Sequence, residues 1–359
     1  MKLKHTTILI IILILATALS GCAGAASAAS SWPGLTAGTQ AAYLAYNQQV
    51  YAIDLTNGSS KWQYPAQANN KISFFAAPTV TSDGQLLEGG YDNILYSLDP
   101  ASGQENWTFK DAENRYVASP LATDKGIYAP NADDSLYALD LKGNFKWKFT
   151  SQGPLWASPV ADPGCSCIYL PSMDHYLYSL NADTGAKNWQ TEDLGGSIVG
   201  TPAYSTDGVI YVGTFGSEMY AINAADGKVK WHVSTSGWVW GGPILQDGVL
   251  YFGDLSGTFY AMQASDGTVK WKVQPDGPIT ESPLVTKDTV YFTTEAGSLV
   301  ALDIANGSNR WSKTVGGKLY TSPVGAGDLI LVSPVNADSL IYAFDTNGNQ
   351  KWAFTLPKK

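Results

Sequence analysis

The chain has 359 residues, of which 45% are hydrophobic and 15% are charged, a balance that supplies a large packed core and excludes a disordered chain. Its formal net charge of −9 argues against nucleic acid as a partner, because phosphate recognition depends on a basic surface. The 12 Trp, 20 Tyr and 36 Gly residues are typical of short aromatic strands joined by tight turns. No long segment has the pattern of an amphipathic helix, so an all-β fold is expected.

Residues 1–21 have the features of a secretory signal peptide. Two lysines precede a continuous apolar run at residues 8–15, and LSGC follows at residues 19–22; this order directs export. The segment before Cys22 resembles the lipobox of bacterial lipoproteins, which implies that Cys22 is acylated and anchors the exported protein to the lipid bilayer. An ordinary signal peptide and an uncleaved anchor helix are the alternatives. Residues 22–31 are small and polar and are expected to form a flexible tether.

A repeat organises the rest of the chain. YAINAADGKVKW at residues 220–231 has a near copy, YAMQASDGTVKW, at residues 260–271. Tryptophan closes every such string, at intervals of 40 to 45 residues: Trp62, Trp107, Trp147, Trp189, Trp231, Trp271, Trp311 and Trp352. A proline precedes each string: Pro33, Pro78, Pro120, Pro159, Pro202, Pro243, Pro283 and Pro323. A period of this length is typical of four-stranded propeller blades.

Each copy predicts four short strands: one near the proline, an aromatic strand such as VIYVG at residues 209–213, one like LYALD, and one that contains the tryptophan. Eight copies therefore predict thirty-two strands. A single sheet of this kind cannot bury both faces, whereas a closed ring of stacked sheets buries them and protects the edges. We predict one eight-bladed β-propeller of four-stranded antiparallel blades over residues 32–359. A seven-bladed ring fits the eight copies less well.

The glycine and tryptophan of each string are predicted to join neighbouring blades. Gly227 and Gly267 fall in the hairpin turn before the last strand, where a positive φ is needed. The tryptophan has enough apolar area to fill the wedge between adjacent sheets. We therefore predict a structural docking role for all eight repeat tryptophans.

The string Ala-x-Asp-x-x-(Asn/Asp/Thr)-Gly-x-x-x-Trp, present at residues 52–62 and 301–311, resembles the tryptophan-docking repeat of quinoprotein propellers; copies four to six have Asn or Gln in place of Asp. The resemblance extends over residues 33–356 and implies an eight-bladed disk. Some members of this group are dehydrogenases with pyrroloquinoline quinone and calcium in the central funnel. Others are BamB-like lipoproteins of the outer-membrane barrel-assembly machinery, which have the same disk and no cofactor.

The residues favour the branch without a cofactor. The resemblance to the dehydrogenases implies long insertions and a pair of adjacent disulfide-bonded cysteines, but here the repeats are short and no two cysteines are adjacent. His175 and His232 fall in different copies, so neither a histidine-based triad nor a zinc site is indicated. We predict no enzyme activity, no cofactor and no metal site.

Cys165 and Cys167 lie two residues apart in GCSCI. In an extended strand their Cα atoms would be about 6.6 Å apart, near the limit for a disulfide. A disulfide within a turn, two free thiols and half of a metal site all stay open, and a plain structural role is favoured.

The mouth of the central channel is the remaining candidate for recognition. Three residues before the prolines, large and small side chains alternate around the predicted ring: Phe75, Val117, Trp156, Val199, Trp240, Thr280 and Tyr320. Arg115, Trp238, Glu281 and Lys318 are close to them in the chain. The predicted funnel contacts are thus Phe75, Arg115, Trp156, Trp238, Trp240, Glu281, Lys318 and Tyr320. The plainer interpretation is that these side chains pack between blades.

Together these observations predict a non-catalytic, lipid-anchored protein of the cell envelope, exposed at a periplasmic or extracellular face. The propeller would serve as a scaffold for envelope proteins, and the resemblance to BamB implies a role in outer-membrane protein assembly. A ligand-binding or sensory propeller with a small molecule in its funnel is the first alternative. A pyrroloquinoline quinone-dependent dehydrogenase is the second.

Overall fold

The computed structural model describes residues 32–356, and all its regular elements in this range are β-strands. These strands form eight four-stranded antiparallel sheets, which confirms the predicted eight-bladed β-propeller. The predicted signal peptide, Cys22 and the tether lie outside the described residues. Residues 32–356 contain no helix with the length and apolar character that a membrane span requires.

Each blade is built from strands that follow one another in the chain. Blades 1 and 2 contain β1 (Gly34–Ala37), β2 (Ala41–Tyr46), β3 (Gln49–Asp54), β4 (Ser60–Tyr64), β5 (Thr79–Val80), β6 (Leu86–Gly89), β7 (Leu95–Leu98) and β8 (Glu105–Phe109). Blades 3 and 4 contain β9 (Leu121–Thr123), β10 (Gly126–Pro130), β11 (Ser135–Leu139), β12 (Phe145–Thr150), β13 (Val160–Asp162), β14 (Cys167–Pro171), β15 (Leu177–Asn181) and β16 (Lys187–Gln190). Each first strand begins close after its repeat proline.

The second half of the ring follows the same plan. Blades 5 and 6 contain β17 (Ala203–Ser205), β18 (Val209–Thr214), β19 (Glu218–Asn223), β20 (Val229–Ser234), β21 (Ile244–Gln246), β22 (Val249–Gly253), β23 (Phe259–Gln263) and β24 (Val269–Val273). Blade 7 contains β25 (Leu284–Val285), β26 (Thr289–Thr293), β27 (Ser298–Asp303) and β28 (Asn309–Thr314). Blade 8 contains β30 (Val324–Ala326), β31 (Leu329–Val332), β33 (Ile341–Asp345) and β34 (Gln350–Phe354).

Two strands exceed the predicted thirty-two. β29 (Lys318–Leu319) and β32 (Pro334–Val335) form a small ladder of their own. This ladder ties the connection that enters blade 8 to the connection between the second and third strands of that blade. Only two residue pairs form it, which leaves no periodic pattern in the sequence.

The antiparallel order places the connections alternately on the two faces of the disk. We call the upper face the one formed by the connections that enter each blade and by those between second and third strands. The lower face carries the other connections, including the glycine turns. The first strands of neighbouring blades contact each other, as β13 and β17 or β17 and β21 do. First strands therefore surround the axis and fourth strands form the rim.

The first and last blades close the ring by side-chain packing, because each is complete without a strand from the other. Leu44 and Ile53 of blade 1 share a buried cluster with Leu331 and Phe354 of blade 8. The Trp352 indole Nε1 also donates a hydrogen bond to the Leu55 carbonyl at 2.8 Å. The same type of contact thus joins blade 8 to blade 1 and six of the seven internal pairs of blades.

The repeat tryptophans lie against the turn glycines of the following blades. A Cβ atom on Gly58 would lie 2.6 Å from the Trp352 ring, and one on Gly227 would lie 2.5 Å from the Trp189 ring. Both glycines have φ values above +70°, so no other residue fits the turn as well. Seven indoles donate to a turn carbonyl at 2.8–3.2 Å: Trp62 to Pro100, Trp147 to Ala182, Trp189 to Ala224, Trp231 to Ala264, Trp271 to Ile304, Trp311 to Thr346 and Trp352 to Leu55.

Trp107 reaches the next blade through a side chain instead. Its Nε1 donates to the Gln85 Oε1 at 2.8 Å, and the Gln85 Nε2 donates to the Leu141 carbonyl at 2.8 Å. Gln85 therefore relays the bond that the other tryptophans make directly.

Trp231→Ala is expected to lower the free energy of unfolding by about 3–5 kcal/mol, since it removes a large packed ring between two blades. Urea or thermal denaturation measures this loss. The matched control is Phe145→Ala, because Phe145 lies on a fourth strand with 52% of its side chain exposed. Equal stability of the Trp231 variant and the wild type would contradict the docking role.

Candidate functional site

The eight predicted funnel contacts all lie on upper-face connections that enter blades. The structure does not gather them into one cluster. Trp238, Trp240 and Tyr320 belong to a continuous aromatic group, whereas Phe75 and Arg115 share a second group with Tyr91.

The aromatic platform consists of Trp32, Phe215, Trp238, Trp240 and Tyr320. Its ring centroids follow one another at 5.4 Å (Tyr320 to Trp32), 5.9 Å (Trp32 to Trp240), 5.2 Å (Trp240 to Phe215) and 5.2 Å (Phe215 to Trp238). Trp32 contacts Tyr320 in the connection that enters blade 8 and Trp240 in the connection that enters blade 6. It therefore spans blade 7. Trp32 is 44% exposed and Trp238 is 52% exposed, so the platform offers apolar surface to solvent.

Two cations lie over aromatic rings on this face. The Arg115 guanidinium is 5.0 Å from the centre of the Tyr91 ring, and Tyr91 stacks on Phe75 at 4.0 Å. The Lys318 Nζ is 5.7 Å from the centre of the Tyr320 ring and 3.8 Å from a Glu295 carboxylate oxygen. Lys318 is itself part of the β29–β32 ladder, which fixes its position beside the platform.

Two of the residues three positions before the repeat prolines have a buried polar atom without a hydrogen-bond partner: the Trp156 Nε1 and the Thr280 Oγ1. Next to Thr280, burial raises the pKa of Glu281 to about 8, although the Ser322 hydroxyl donates to this carboxyl at 3.4 Å and favours its ionised form. A Cβ on Gly241 would lie 2.4 Å from the Glu281 backbone. The inner edges of blades 6 and 7 are therefore in close contact at this carboxyl.

Glu88 is an acidic residue in an apolar position of blade 2. The other seven blades hold hydrophobic residues at the corresponding point of their second strands: Leu44, Ala129, Leu170, Val212, Phe252, Phe292 and Val332. Glu88 is 1% exposed and neither carboxyl oxygen has a hydrogen-bond partner. Burial raises the pKa of Glu88 well above its ordinary value, so the neutral acid is favoured.

Charge is distributed unevenly between the upper face and the rest of the disk. All 31 acidic residues fall within residues 32–356, as do 18 of the 22 basic ones, the others being Lys2, Lys4, Lys358 and Lys359. The upper-face connections and the β29–β32 ladder hold thirteen acidic residues: Asp92, Asp111, Glu113, Asp133, Asp134, Asp174, Glu192, Asp193, Asp254, Asp276, Glu281, Glu295 and Asp338. They hold four basic residues: Lys71, Lys110, Arg115 and Lys318. The remaining eighteen acidic and fourteen basic residues nearly balance.

Cys165 and Cys167 form a disulfide on the lower face, between the first and second strands of blade 4. Of the three states that the sequence left open, the structure thus has the disulfide within a turn. Ser166 between them has a φ of 56°, so the chain turns there and the Cα atoms are 5.2 Å apart, closer than in an extended strand.

The funnel residues do not fit a quinone with a divalent metal. Calcium needs six to eight oxygen ligands, but the ring offers Phe75, Val117, Trp156, Val199 and Trp240, with hydroxyls only on Thr280 and Tyr320. The raised pKa of Glu281 favours its neutral form. Within the described chain, no group of three or more His, Cys, Asp or Glu side chains could hold a metal ion. We therefore derive no redox step through such a group.

Sequence reasoning missed four residues of this region: Trp32, Tyr91, Phe215 and Glu88. Trp32 and Phe215 lie outside the position three residues before each proline, and Tyr91 is in the connection between the second and third strands of blade 2. Glu88 could have been found, because aligning the second strands of the eight copies leaves it as the one charged residue among hydrophobic ones.

We expect the free energy of unfolding to fall between pH 5 and pH 8 because of Glu88 and Glu281. A carboxyl whose pKa is higher in the folded chain ionises first in the unfolded chain, so stability is greatest below the ordinary pKa and declines as pH rises, by up to about 1.4 kcal/mol per pH unit for each group. Glu88→Gln with Glu281→Gln should flatten this dependence in urea titrations. Glu113→Gln, at an exposed site, is the control and should leave the slope unchanged; a flat wild-type profile would contradict the assignment.

Comparison with known proteins gives matches to outer membrane protein assembly factors and to a dehydrogenase. The chain is 24% identical over 173 residues to an outer membrane protein assembly factor BamB of Bordetella pertussis, covering 47% of this chain and 43% of that protein. The chain thus matches less than half of the length of this relative. The fold is similar to the crystal structure of BamB from Moraxella catarrhalis, with a TM-score of 0.71, 16% identity and coverage of 84% of this chain and 92% of that one.

A second solved structure shows that the same fold also carries enzymes. Quinohemoprotein alcohol dehydrogenase from Comamonas testosteroni superposes with a TM-score of 0.74 at 14% identity, covering 92% of this chain and 76% of that one. At such identities both structural likenesses show the fold alone.

A family model described as "Outer membrane protein assembly factor BamB" matches residues 46–166, 173–316 and 276–358. These ranges include most of the strands of all eight blades. The chain therefore belongs to this BamB-like family of quinoprotein-type β-propellers.

Proposed function

We propose that this protein is a non-catalytic, lipid-anchored scaffold of the cell envelope that takes part in outer-membrane protein assembly. The observation that carries the proposal is the family match over residues 46–166, 173–316 and 276–358, which includes strands of all eight blades. The funnel chemistry supports it, because the ring side chains are largely apolar and give no ligand set for a quinone-bound metal. The exposed aromatic surface on the upper face supports it as well, since exposed apolar patches mark contact sites.

The lipid anchor in this proposal depends on Cys22. We expect metabolic labelling with a palmitate analogue to mark the wild-type protein, and membrane fractionation to recover it with the membrane. Cys22→Ser should lose the label and leave the membrane fraction. Because the chain has 3 cysteines, the Cys165→Ser/Cys167→Ser variant is a matched control that should keep both properties. Labelling of Cys22→Ser at the wild-type level would contradict acylation at this residue.

Crosslinking in intact cells, followed by purification of the full chain, tests the scaffold role. We expect barrel-assembly components of the envelope to be recovered with the wild type. Recovery of the same components with the Cys22→Ser variant at full yield would show that anchoring is unnecessary for the contact. Absence of these components from the wild-type sample would refute the assembly role.

A small-molecule-binding propeller is the second candidate function. The buried and unpartnered Trp156 Nε1 and Thr280 Oγ1 favour it, because a ligand in the funnel could satisfy both atoms. The test for an enzyme is separate: purified protein is incubated with pyrroloquinoline quinone and calcium, its absorbance is recorded, and dye-linked alcohol oxidation is measured. Bound quinone with turnover would overturn the non-catalytic proposal.

A further inference from the structure

We propose that the upper face docks a basic polypeptide segment, and that an apolar or aromatic side chain of this segment lies on the aromatic platform between Trp32 and Trp238. This inference rests on the proposed scaffold function and names the chemistry of the partner. It follows from the position of the exposed aromatic residues, the charge around them and the unpartnered Thr280 hydroxyl of blade 7.

The platform supplies the apolar centre of the proposed contact. Trp32 and Trp238 are two of the five large hydrophobic residues most exposed in the described chain, and both lie on the upper face. Each stacks on a neighbouring ring, Trp32 on Tyr320 and Trp238 on Phe215. A rigid aromatic surface loses little conformational entropy when a partner side chain covers it, which is a property of binding hot spots.

The charge of the upper face selects the partner. Its connections hold thirteen acidic and four basic residues, and two of the basic ones, Arg115 and Lys318, already lie over aromatic rings. The field therefore attracts Lys and Arg from outside, and the platform can hold them by the same cation–π contacts.

The same charge opposes the other occupants. A second copy of this chain would bring an equally acidic face against this one, and an anionic lipid surface would be repelled too. Nucleic acid is excluded for the same reason. A basic polypeptide is thus the macromolecule whose charge and apolar content match the upper face.

Thr280 gives an independent indication of a binding position in blade 7. Trp32 spans blade 7 by contacting Trp240 and Tyr320. Thr280 lies in the connection that enters this blade, three residues before its proline. Thr280 is 8% exposed, and its Oγ1 has no hydrogen-bond partner. A peptide carbonyl or amide at this point would satisfy the hydroxyl.

The test uses the full chain and a fluorescent peptide in which several Lys residues flank a single Trp. Fluorescence anisotropy at low salt should show saturable binding. Binding should weaken several-fold when the salt concentration is raised above about 0.1 M, where the Debye length is about 10 Å. A peptide with Glu in place of Lys should not bind. A peptide with Ser in place of Trp should bind at least about tenfold more weakly.

Protein variants locate the site. Trp238→Ala is expected to weaken binding about tenfold, whereas Phe145→Ala, with the same exposed fraction of 52% in a fourth strand, should leave the affinity unchanged. Asp111→Lys with Glu192→Lys on the upper face should weaken binding, whereas Asp124→Lys with Asp328→Lys changes the charge equally on the lower face and should have little effect. Circular dichroism of each variant confirms that the fold is kept.

Three outcomes would overturn the inference. The Trp238 and Phe145 variants could weaken binding equally, or the Lys and Glu peptides could bind equally well. The third outcome is that the protein binds anionic vesicles in preference to the Lys peptide. These outcomes are independent of the host cell. A failed peptide assay is therefore distinguishable from a failed crosslinking experiment, which bears on the assembly role alone.

Discussion

The contact between an indole and the turn glycine of the next blade is the interaction on which the ring depends. Both faces of each sheet are apolar, so a single blade would leave most of its apolar surface exposed to water. The tryptophan fills the wedge at the rim, and a Cβ on the glycine, such as Gly58 against Trp352, would enter the space of the ring. Since this contact joins blade 8 to blade 1 as well, the chain closes without exchanging a strand between its ends.

This repeated contact leaves the upper face free to vary. The docking tryptophans and the glycines that they contact all lie outside these connections, so the rim contacts place no constraint on the residues there. The platform, the acidic excess and the β29–β32 ladder all lie on this face. Glu88 in the second strand of blade 2 is buried and Glu281 on the upper face is half-buried, and burial raises the pKa of each.

The ring of blades is a fold shared with an enzyme. Quinohemoprotein alcohol dehydrogenase from Comamonas testosteroni has a similar ring of blades, so the ring does not decide chemistry. Here the residues three positions before the prolines are mostly aromatic or aliphatic, and Trp32 lies across blade 7. Function in this family must therefore be argued from the side chains at the axis and on the upper face.

The sequence alone determined the number of blades, the order of the strands and the docking tryptophans, because these features recur with a fixed period and any one copy predicts the others. It also predicted Trp238, Trp240 and Tyr320 as funnel contacts, with packing between blades as the plainer interpretation. Only the tertiary structure decided that Trp32 and Phe215 complete one platform with them, and that Gln85 relays the contact of Trp107. These contacts join residues from different repeats at positions that do not recur. Periodicity carries no information about them, whereas the closed ring brings them within a few ångströms.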